Sequence, residues 1–143
     1  YHVNATYYSA LGEDDKKMLV ARAIQLFMPG KPQVWYLDLF AGQNDHEAVA
    51  RAGEGGHKEI NRTNLTVEDV QNALAKDVVQ KQIEVLRFRK ASKAFTKDAK
   101  ISVYADGEKM VFIWEGQTKA ELEVDFVTMS YVVREKGKIE ITG

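Results

Sequence analysis

Residues 33–40, QVWYLDLF, are almost continuously apolar and rich in aromatic side chains. A run of this kind predicts a strand over residues 34–40 that is buried on both faces, as in parallel sheets. The acidic residues 13–15 suit the positive N-terminal end of a helix, and Pro29-Gly30 ends that helix. A helix, a short loop and a buried strand in succession predict an α/β fold.

The apolar positions around this run have helical spacing. Before it, Val20, Ile24 and Phe27 form one stripe on the first helix. After it, a polar, glycine-rich connection extends to residue 65 and contains a short helix over residues 45–52. Thr66 and Asp69 predict a capping box that opens the next helix, and a further helix ends near residue 92.

From about Phe95 onward the period of the apolar residues changes to two. Short alternating runs predict five strands, and Asp106-Gly107 is typical of a tight hairpin between the first two. Met110, Phe112 and Trp114 should share one face of this unit. We therefore predict an antiparallel sheet of about five strands after the α/β part.

Composition excludes several kinds of function. The 143 residues carry a net charge of -1, no Cys and 3 His. This balance provides no basic field for nucleic acid or membrane, no thiolate chemistry and no rich imidazole metal site. Without a signal peptide or a long apolar run, we expect a cytoplasmic protein.

The predicted buried strand lacks neighbours. Buried peptide groups without partners cost about 1–3 kcal/mol each, and no similar strand precedes residue 95. The missing strands are therefore expected upstream, in a longer protein, and the opening residues 1–4 without Met agree with this. The alternative is a compact α+β domain in which residues 34–40 join the later sheet.

Four blocks of sequence resemble sucrose phosphorylases of the α-amylase superfamily, in the same order and with similar spacing: NATYYSALG (4–12), PGKPQVWY (29–36), AGQND (41–45) and INR (60–62). The resemblance implies that residues 1–95 are the end of a (β/α)8 (TIM) barrel, contributing its last helix, strand and helix. Residues 96–143 would be a small all-β C-terminal domain. The loop after the last strand would then lie at the active-site face.

The resemblance also implies retaining glucosyl transfer through a covalent intermediate, with phosphate as the acceptor and substrate. The carboxylates of that chemistry are expected upstream, so we expect no catalytic residue in this chain and no activity from it alone. The implied partners are sucrose or sucrose 6-phosphate, inorganic phosphate and the missing barrel part. No cofactor or metal is implied.

Lys58 discriminates within the family. Sucrose phosphorylases usually carry Arg there, whereas Lys58 with Thr63-Asn64 is more similar to sucrose 6-phosphate phosphorylases, whose matching Lys contacts the phosphate of the fructose 6-phosphate part. Lys58, Arg62 and His57 are therefore the predicted substrate-binding residues. A solvated charged loop, or an Arg62 that bonds backbone carbonyls, is the alternative.

Other functions stay open at this point. The acceptor could be plain fructose, as in sucrose phosphorylase itself, or glycerol or glycerate. A different class is a free-standing binding or oligomerisation module without catalysis, which would fold alone and be monodisperse. Asp38, inside the apolar run, is expected to pair with a cation of the missing barrel.

Overall fold

The structure, a computed structural model, describes residues 4–143. Residues 1–3, which lack an initiator Met, lie outside the described residues. Helices occupy the first part of the chain: α1 Tyr7–Ala10, α2 Asp15–Phe27, α3 Tyr36–Leu39, α4 His46–Ala52, a 3-10 helix Gly56–Asn61, α5 Val67–Leu74 and α6 Asp77–Ala91. Strands follow: β1 Lys100–Asp106, β2 Lys109–Glu115, β3 Lys119–Asp125, β4 Ser130–Glu135 and β5 Lys138–Thr142.

The five strands form one antiparallel meander in the order β1-β2-β3-β4-β5. All five predicted strands and the change of structure near residue 95 are confirmed. Asp106 pairs with Lys109 across the first hairpin, and Gly107 takes the left-handed conformation (φ 62°) that this tight turn requires. The turn chemistry of the sequence therefore sets the register of β1 against β2.

One face of the sheet is apolar and buried. Phe112, Leu122, Val133 and Ile141 lie opposite one another on successive strands and are all buried. The opposite face carries ion pairs, such as Arg134 with Glu121 at 3.4 Å. This separation follows from the two-residue alternation of a half-buried strand.

The strand predicted over residues 34–40 is wrong. Residues 31–35 have no regular secondary structure, and the one-turn helix α3 follows. Every strand of the described chain lies in the sheet of residues 100–142, so residues 34–40 do not join that sheet either. Without a neighbouring strand the backbone bonds locally, for example Leu39 N–H to Trp35 C=O at 3.0 Å. Only Leu37 of this run is fully buried.

The chain divides into two compact units. One combines residues 4–18 of the described chain with Gln33–Gln80, and the other combines Leu19–Pro32 with Lys81–Gly143. Other helix predictions are confirmed: α4 begins after its Asp45 cap, Thr66 and Asp69 form the capping box of α5, and α6 ends at Ala91. None of the helices in residues 4–143 has the length and apolarity needed to cross a bilayer.

An aromatic cluster organises the second unit. Trp114 donates its indole N–H to the Phe27 carbonyl at 2.7 Å, and the Phe27 and Phe95 rings meet edge to face at 5.2 Å. The Arg89 guanidinium lies 3.9 Å from the Phe95 ring centre and 4.4 Å from that of Trp114. Burial lowers the pKa of Arg89, but the cation–π contacts offset part of that cost.

The apolar stripe predicted on α2 is confirmed for Val20 and Phe27, while Ile24 is only half-buried. Arg22 is buried beside it, a feature that the sequence did not indicate. Its Nε donates to Gln82 Oε1 at 2.9 Å, and Gln82 is itself fully buried. A buried charge needs such a partner, because removal from water is costly.

Replacing Trp114 by Phe should destabilise the protein. The substitution leaves the buried Phe27 carbonyl without its donor and creates a small cavity, so we expect a loss of about 2–4 kcal/mol in the free energy of unfolding. Urea denaturation measures this loss. Ile139→Val, at a position 61% exposed, is the control and should change stability by less than about 0.5 kcal/mol. A Trp114→Phe loss as small as the control's would contradict this account.

Glu135 makes the stability of the second unit sensitive to acid. The hydroxyls of Ser92 and Thr118 donate to its Oε1 at 2.6 and 2.9 Å, and they lower the pKa of this carboxyl below its ordinary value of 4.5. Because the folded pKa is below the unfolded one, the stabilisation is present above pH 4.5 and is lost as pH falls through the folded pKa.

The Glu135→Gln variant should therefore lose less thermal stability than the wild type when the pH is lowered from about 6 to about 3. The Tm of both proteins over that range is the measurement. Glu140→Gln, on an exposed position of β5, is the matched control and should follow the wild-type curve. If Glu135→Gln also follows the wild-type curve, the contacts of Glu135 with the two hydroxyls do not contribute to the loss of stability at low pH.

Candidate functional site

The glycine-rich loop folds into a short 3-10 helix, Gly56–Asn61, that presents the predicted binding residues. Gly53 and Gly55 have φ of 70° and 83°, in the left-handed region that glycine adopts without strain. Gly56 serves a different purpose. A Cβ at this position would come 2.4 Å from the Ala52 Cβ, so only glycine allows the loop to pass so close to the end of α4.

His57, Lys58 and Arg62 line one open cleft of about 540 Å³. The structure therefore brings together the three residues singled out from the sequence. Among residues 4–143, the cleft is lined by Asn4, Trp35, Asp38, His57, Lys58, Asn61 and Arg62.

The basic side chains of this cleft differ in their contacts. Within residues 4–143 the side chains of His57 and Lys58 form no ion pair or hydrogen bond, and both are exposed. Arg62 Nη1 lies 3.5 Å from Glu59 Oε1, one turn before it, and both side chains are largely exposed. In the described residues the Arg62 guanidinium does not bond a backbone carbonyl, so that alternative role receives no support.

Two adjacent aromatic residues hold the C-terminal end of the loop. Trp35 donates its indole N–H to the Asn61 carbonyl at 3.1 Å, and Tyr36 donates its hydroxyl to the Thr63 carbonyl at 2.8 Å. Half of the Trp35 surface stays exposed, and its ring forms part of the cleft wall.

Polar residues around α3 and α4 bond the backbone of the N-terminal segment. Asp38 Oδ1 accepts from the Tyr7 N–H at 2.7 Å, and Asn44 Oδ1 accepts from the Thr6 N–H at 2.7 Å. Asp45 caps α4 and accepts a hydrogen bond from the backbone N–H of Ala48. This hydrogen bond holds the pKa of the Asp45 carboxyl below its usual range. Asp45 thus shapes the start of α4, whereas Asn44 ties the loop to the N-terminal segment.

The cleft suits an anion more than a metal. Two cations and a His face a single carboxylate, Asp38, which already accepts a backbone N–H. No group of three His, Asp or Glu that could hold a metal ion occurs among residues 4–143. Lys and Arg on an open, water-accessible surface are typical ligands of phosphate groups.

Sequence reasoning missed Trp35, Asp38 and Asn61 as residues of this cleft. Trp35 and Asp38 were assigned to a buried strand, whereas each side chain lies at the surface of the cleft. An available signal was the polar group on each side chain, because an indole N–H or a carboxylate inside an apolar run needs a partner.

Comparison with known proteins gives consistent relatives, although no family model matches the chain. A sucrose 6(F)-phosphate phosphorylase of Ilumatobacter coccineus is 51% identical over 147 aligned residues, covering 100% of this chain and 28% of that protein. A sucrose phosphorylase of Streptococcus mutans is 39% identical, covering 94% of this chain and 28% of that protein.

A solved structure agrees with these relatives. The crystal structure of sucrose 6F-phosphate phosphorylase from Thermoanaerobacter thermosaccharolyticum matches with a TM-score of 0.87 and 35% identity, covering 100% of this chain and 29% of that chain. The chain thus spans less than a third of the length of the relatives it matches. The chain belongs to the family of sucrose and sucrose 6(F)-phosphate phosphorylases and corresponds to a C-terminal segment of them.

Proposed function

We propose that the protein containing this chain is a glycoside phosphorylase that converts sucrose 6-phosphate and inorganic phosphate into α-glucose 1-phosphate and fructose 6-phosphate. In this proposal the chain supplies the site that binds the phosphate group of the fructose 6-phosphate part. The observation that carries the proposal is the cleft in which Lys58, Arg62 and His57 converge, with Asp38 as the one carboxylate among its described lining residues.

The arrangement of charges favours a phosphate ligand. Lys58 is exposed and has no ion pair within the described residues, so its ammonium group is available to a ligand. Arg62 has only a long, exposed contact with Glu59, which a dianionic phosphate can replace at little cost. A charge-assisted hydrogen bond to phosphate contributes about 1.5–3 kcal/mol.

The choice of fructose 6-phosphate over fructose follows from two observations. The relative named for sucrose 6(F)-phosphate is 51% identical, against 39% for the relative named for sucrose. Lys58 also stands where sucrose phosphorylases usually carry Arg. Plain sucrose phosphorylase, or a relative with a glycerol or glycerate acceptor, is the runner-up.

Residues 1–95 would form the end of a catalytic (β/α)8 barrel and residues 96–143 its β C-terminal domain. The change from helix to strand between Ala91 and Lys100 supports this boundary. The nucleophile and acid/base carboxylates of retaining transfer would come from the rest of the barrel. In this proposal the chain positions the fructose 6-phosphate part of the substrate and does no covalent chemistry, and the enzyme needs no cofactor.

The alternative of a free-standing binding or oligomerisation module predicts different behaviour in solution. Such a module would be monodisperse when the chain is expressed alone, whereas a barrel segment would associate or aggregate through its exposed apolar side chains. Trp35, Val67 and Val127 are at least half exposed in the described structure. Size-exclusion chromatography of the isolated chain distinguishes these outcomes.

Lys58→Ala should remove the preference for the phosphorylated sugar. In the whole enzyme, kcat/KM for phosphorolysis of sucrose 6-phosphate should fall about 10- to 100-fold, which is the loss of one charge-assisted hydrogen bond. The value for sucrose should change much less, because sucrose has no phosphate for Lys58 to bind. Steady-state kinetics with both sugars, side by side, measures the effect.

Lys16→Ala is the matched control, because Lys16 is equally exposed and lies on α2 outside the cleft. It should leave both reactions at the wild-type rate. A wild-type enzyme with equal kcat/KM for sucrose and sucrose 6-phosphate would contradict the proposed phosphate-binding role and favour sucrose phosphorylase. An enzyme that uses neither sugar would contradict the proposed substrate class.

A further inference from the structure

The backbone on both sides of Arg62 is fixed by side chains from a single dipeptide. The Asn61 carbonyl accepts from Trp35 Nε1 at 3.1 Å, and the Thr63 carbonyl accepts from the Tyr36 hydroxyl at 2.8 Å. The two aromatic rings lie 4.9 Å apart with an interplanar angle of 49°. We call this arrangement the aromatic clamp, Trp35 and Tyr36.

The clamp is itself anchored. Trp35 is the N-cap residue of α3, and the Gly42 N–H closes the end of that turn on the Leu37 carbonyl at 2.9 Å. Asp38 of the same turn accepts the Tyr7 N–H at 2.7 Å. The α3 turn that carries Trp35 and Tyr36 is therefore held by its own hydrogen bonds. The clamp connects the loop around Arg62 to this turn.

The clamp fixes the position of the Arg62 backbone. Few contacts of the side chain itself fix the position of the guanidinium. Its contact with Glu59 is 3.5 Å long and about half exposed, and pairs of this kind are weak in water. The placement of a long side chain then depends mainly on its backbone. An Arg fork requires a well-defined approach to bond a phosphate with two N–H groups.

We propose that Trp35 and Tyr36 are positioning residues that hold the backbone of Arg62 so that its guanidinium reaches the phosphate in the cleft. This inference rests on the proposed function, since it assigns the phosphate of fructose 6-phosphate as the ligand of Arg62. It adds a specificity role for two aromatic side chains, of which Tyr36 does not line the cleft.

A purely structural role would look different. If the Trp35 indole N–H and the Tyr36 hydroxyl only stabilised the fold, their loss would lower the Tm and weaken the binding of every ligand equally. If they act through Arg62, their loss should weaken phosphate-dependent binding, and the effect should disappear once the Arg62 side chain is removed. A double-mutant cycle separates the two cases.

The experiment measures the Kd of fructose 6-phosphate by titration calorimetry in the whole enzyme. The proteins are the wild type, Tyr36→Phe, Arg62→Ala and the double variant. Tyr36→Phe removes only the hydroxyl that bonds Thr63. It should weaken binding about three- to tenfold in the wild-type background and by less than about twofold in the Arg62→Ala background.

Tyr104→Phe is the matched control, because it removes a hydroxyl from a half-exposed Tyr of β1 that is outside the site. It should leave the Kd unchanged. Trp35→Phe, which removes the indole N–H, should couple to Arg62 in the same way as Tyr36→Phe.

The outcomes separate this inference from the proposed function. An equal loss in both backgrounds, or no loss in either, overturns the clamp while leaving the role of Lys58 intact. A wild-type enzyme that binds fructose 6-phosphate no more tightly than fructose contradicts the proposed function, and the clamp falls with it.

Discussion

Hydrogen bonds between side chains and backbone groups hold the first compact unit together. Apart from α2 and α6, which only begin in this unit, its α-helices have four to eight residues, too short to satisfy the backbone of the connecting loops. The exposed and half-buried peptide groups of these loops are instead bonded by Asp38, Asn44, Trp35 and Tyr36. The shape of the cleft depends on this network, because the bonds from Trp35 and Tyr36 hold the backbone on both sides of Arg62.

The second unit is stabilised mainly by a buried apolar core. A row of buried side chains crosses the sheet, and the aromatic cluster around Phe27 and Trp114 joins α2 to β2 through one buried hydrogen bond. Backbone groups of the sheet are satisfied by neighbouring strands. The first unit therefore relies more on side-chain-to-backbone hydrogen bonds, and the second relies more on a buried apolar core.

This difference explains how much could be predicted from the sequence. The five strands, the Asp106-Gly107 hairpin and the Thr66 capping box were predictable because alternation, turn chemistry and caps are local signals. Residues 34–40 were assigned wrongly, since a short apolar run does not distinguish a strand from a helical turn. Lys58, Arg62 and His57 were singled out through the resemblance and the glycine-rich loop, and they line one cleft; their binding role stays a prediction. Trp35 was missed, because its partner Asn61 is 26 residues away in the chain.

The central claim is that Lys58 and Arg62 form the site that reads a sugar phosphate. The most direct measurement is a crystal structure of the whole enzyme with fructose 6-phosphate bound. We expect Lys58 Nζ and the Arg62 guanidinium at about 2.7–2.9 Å from phosphate oxygens, the length of charge-assisted hydrogen bonds. A phosphate group bound by other residues, with Lys58 and Arg62 turned to solvent, would contradict the account.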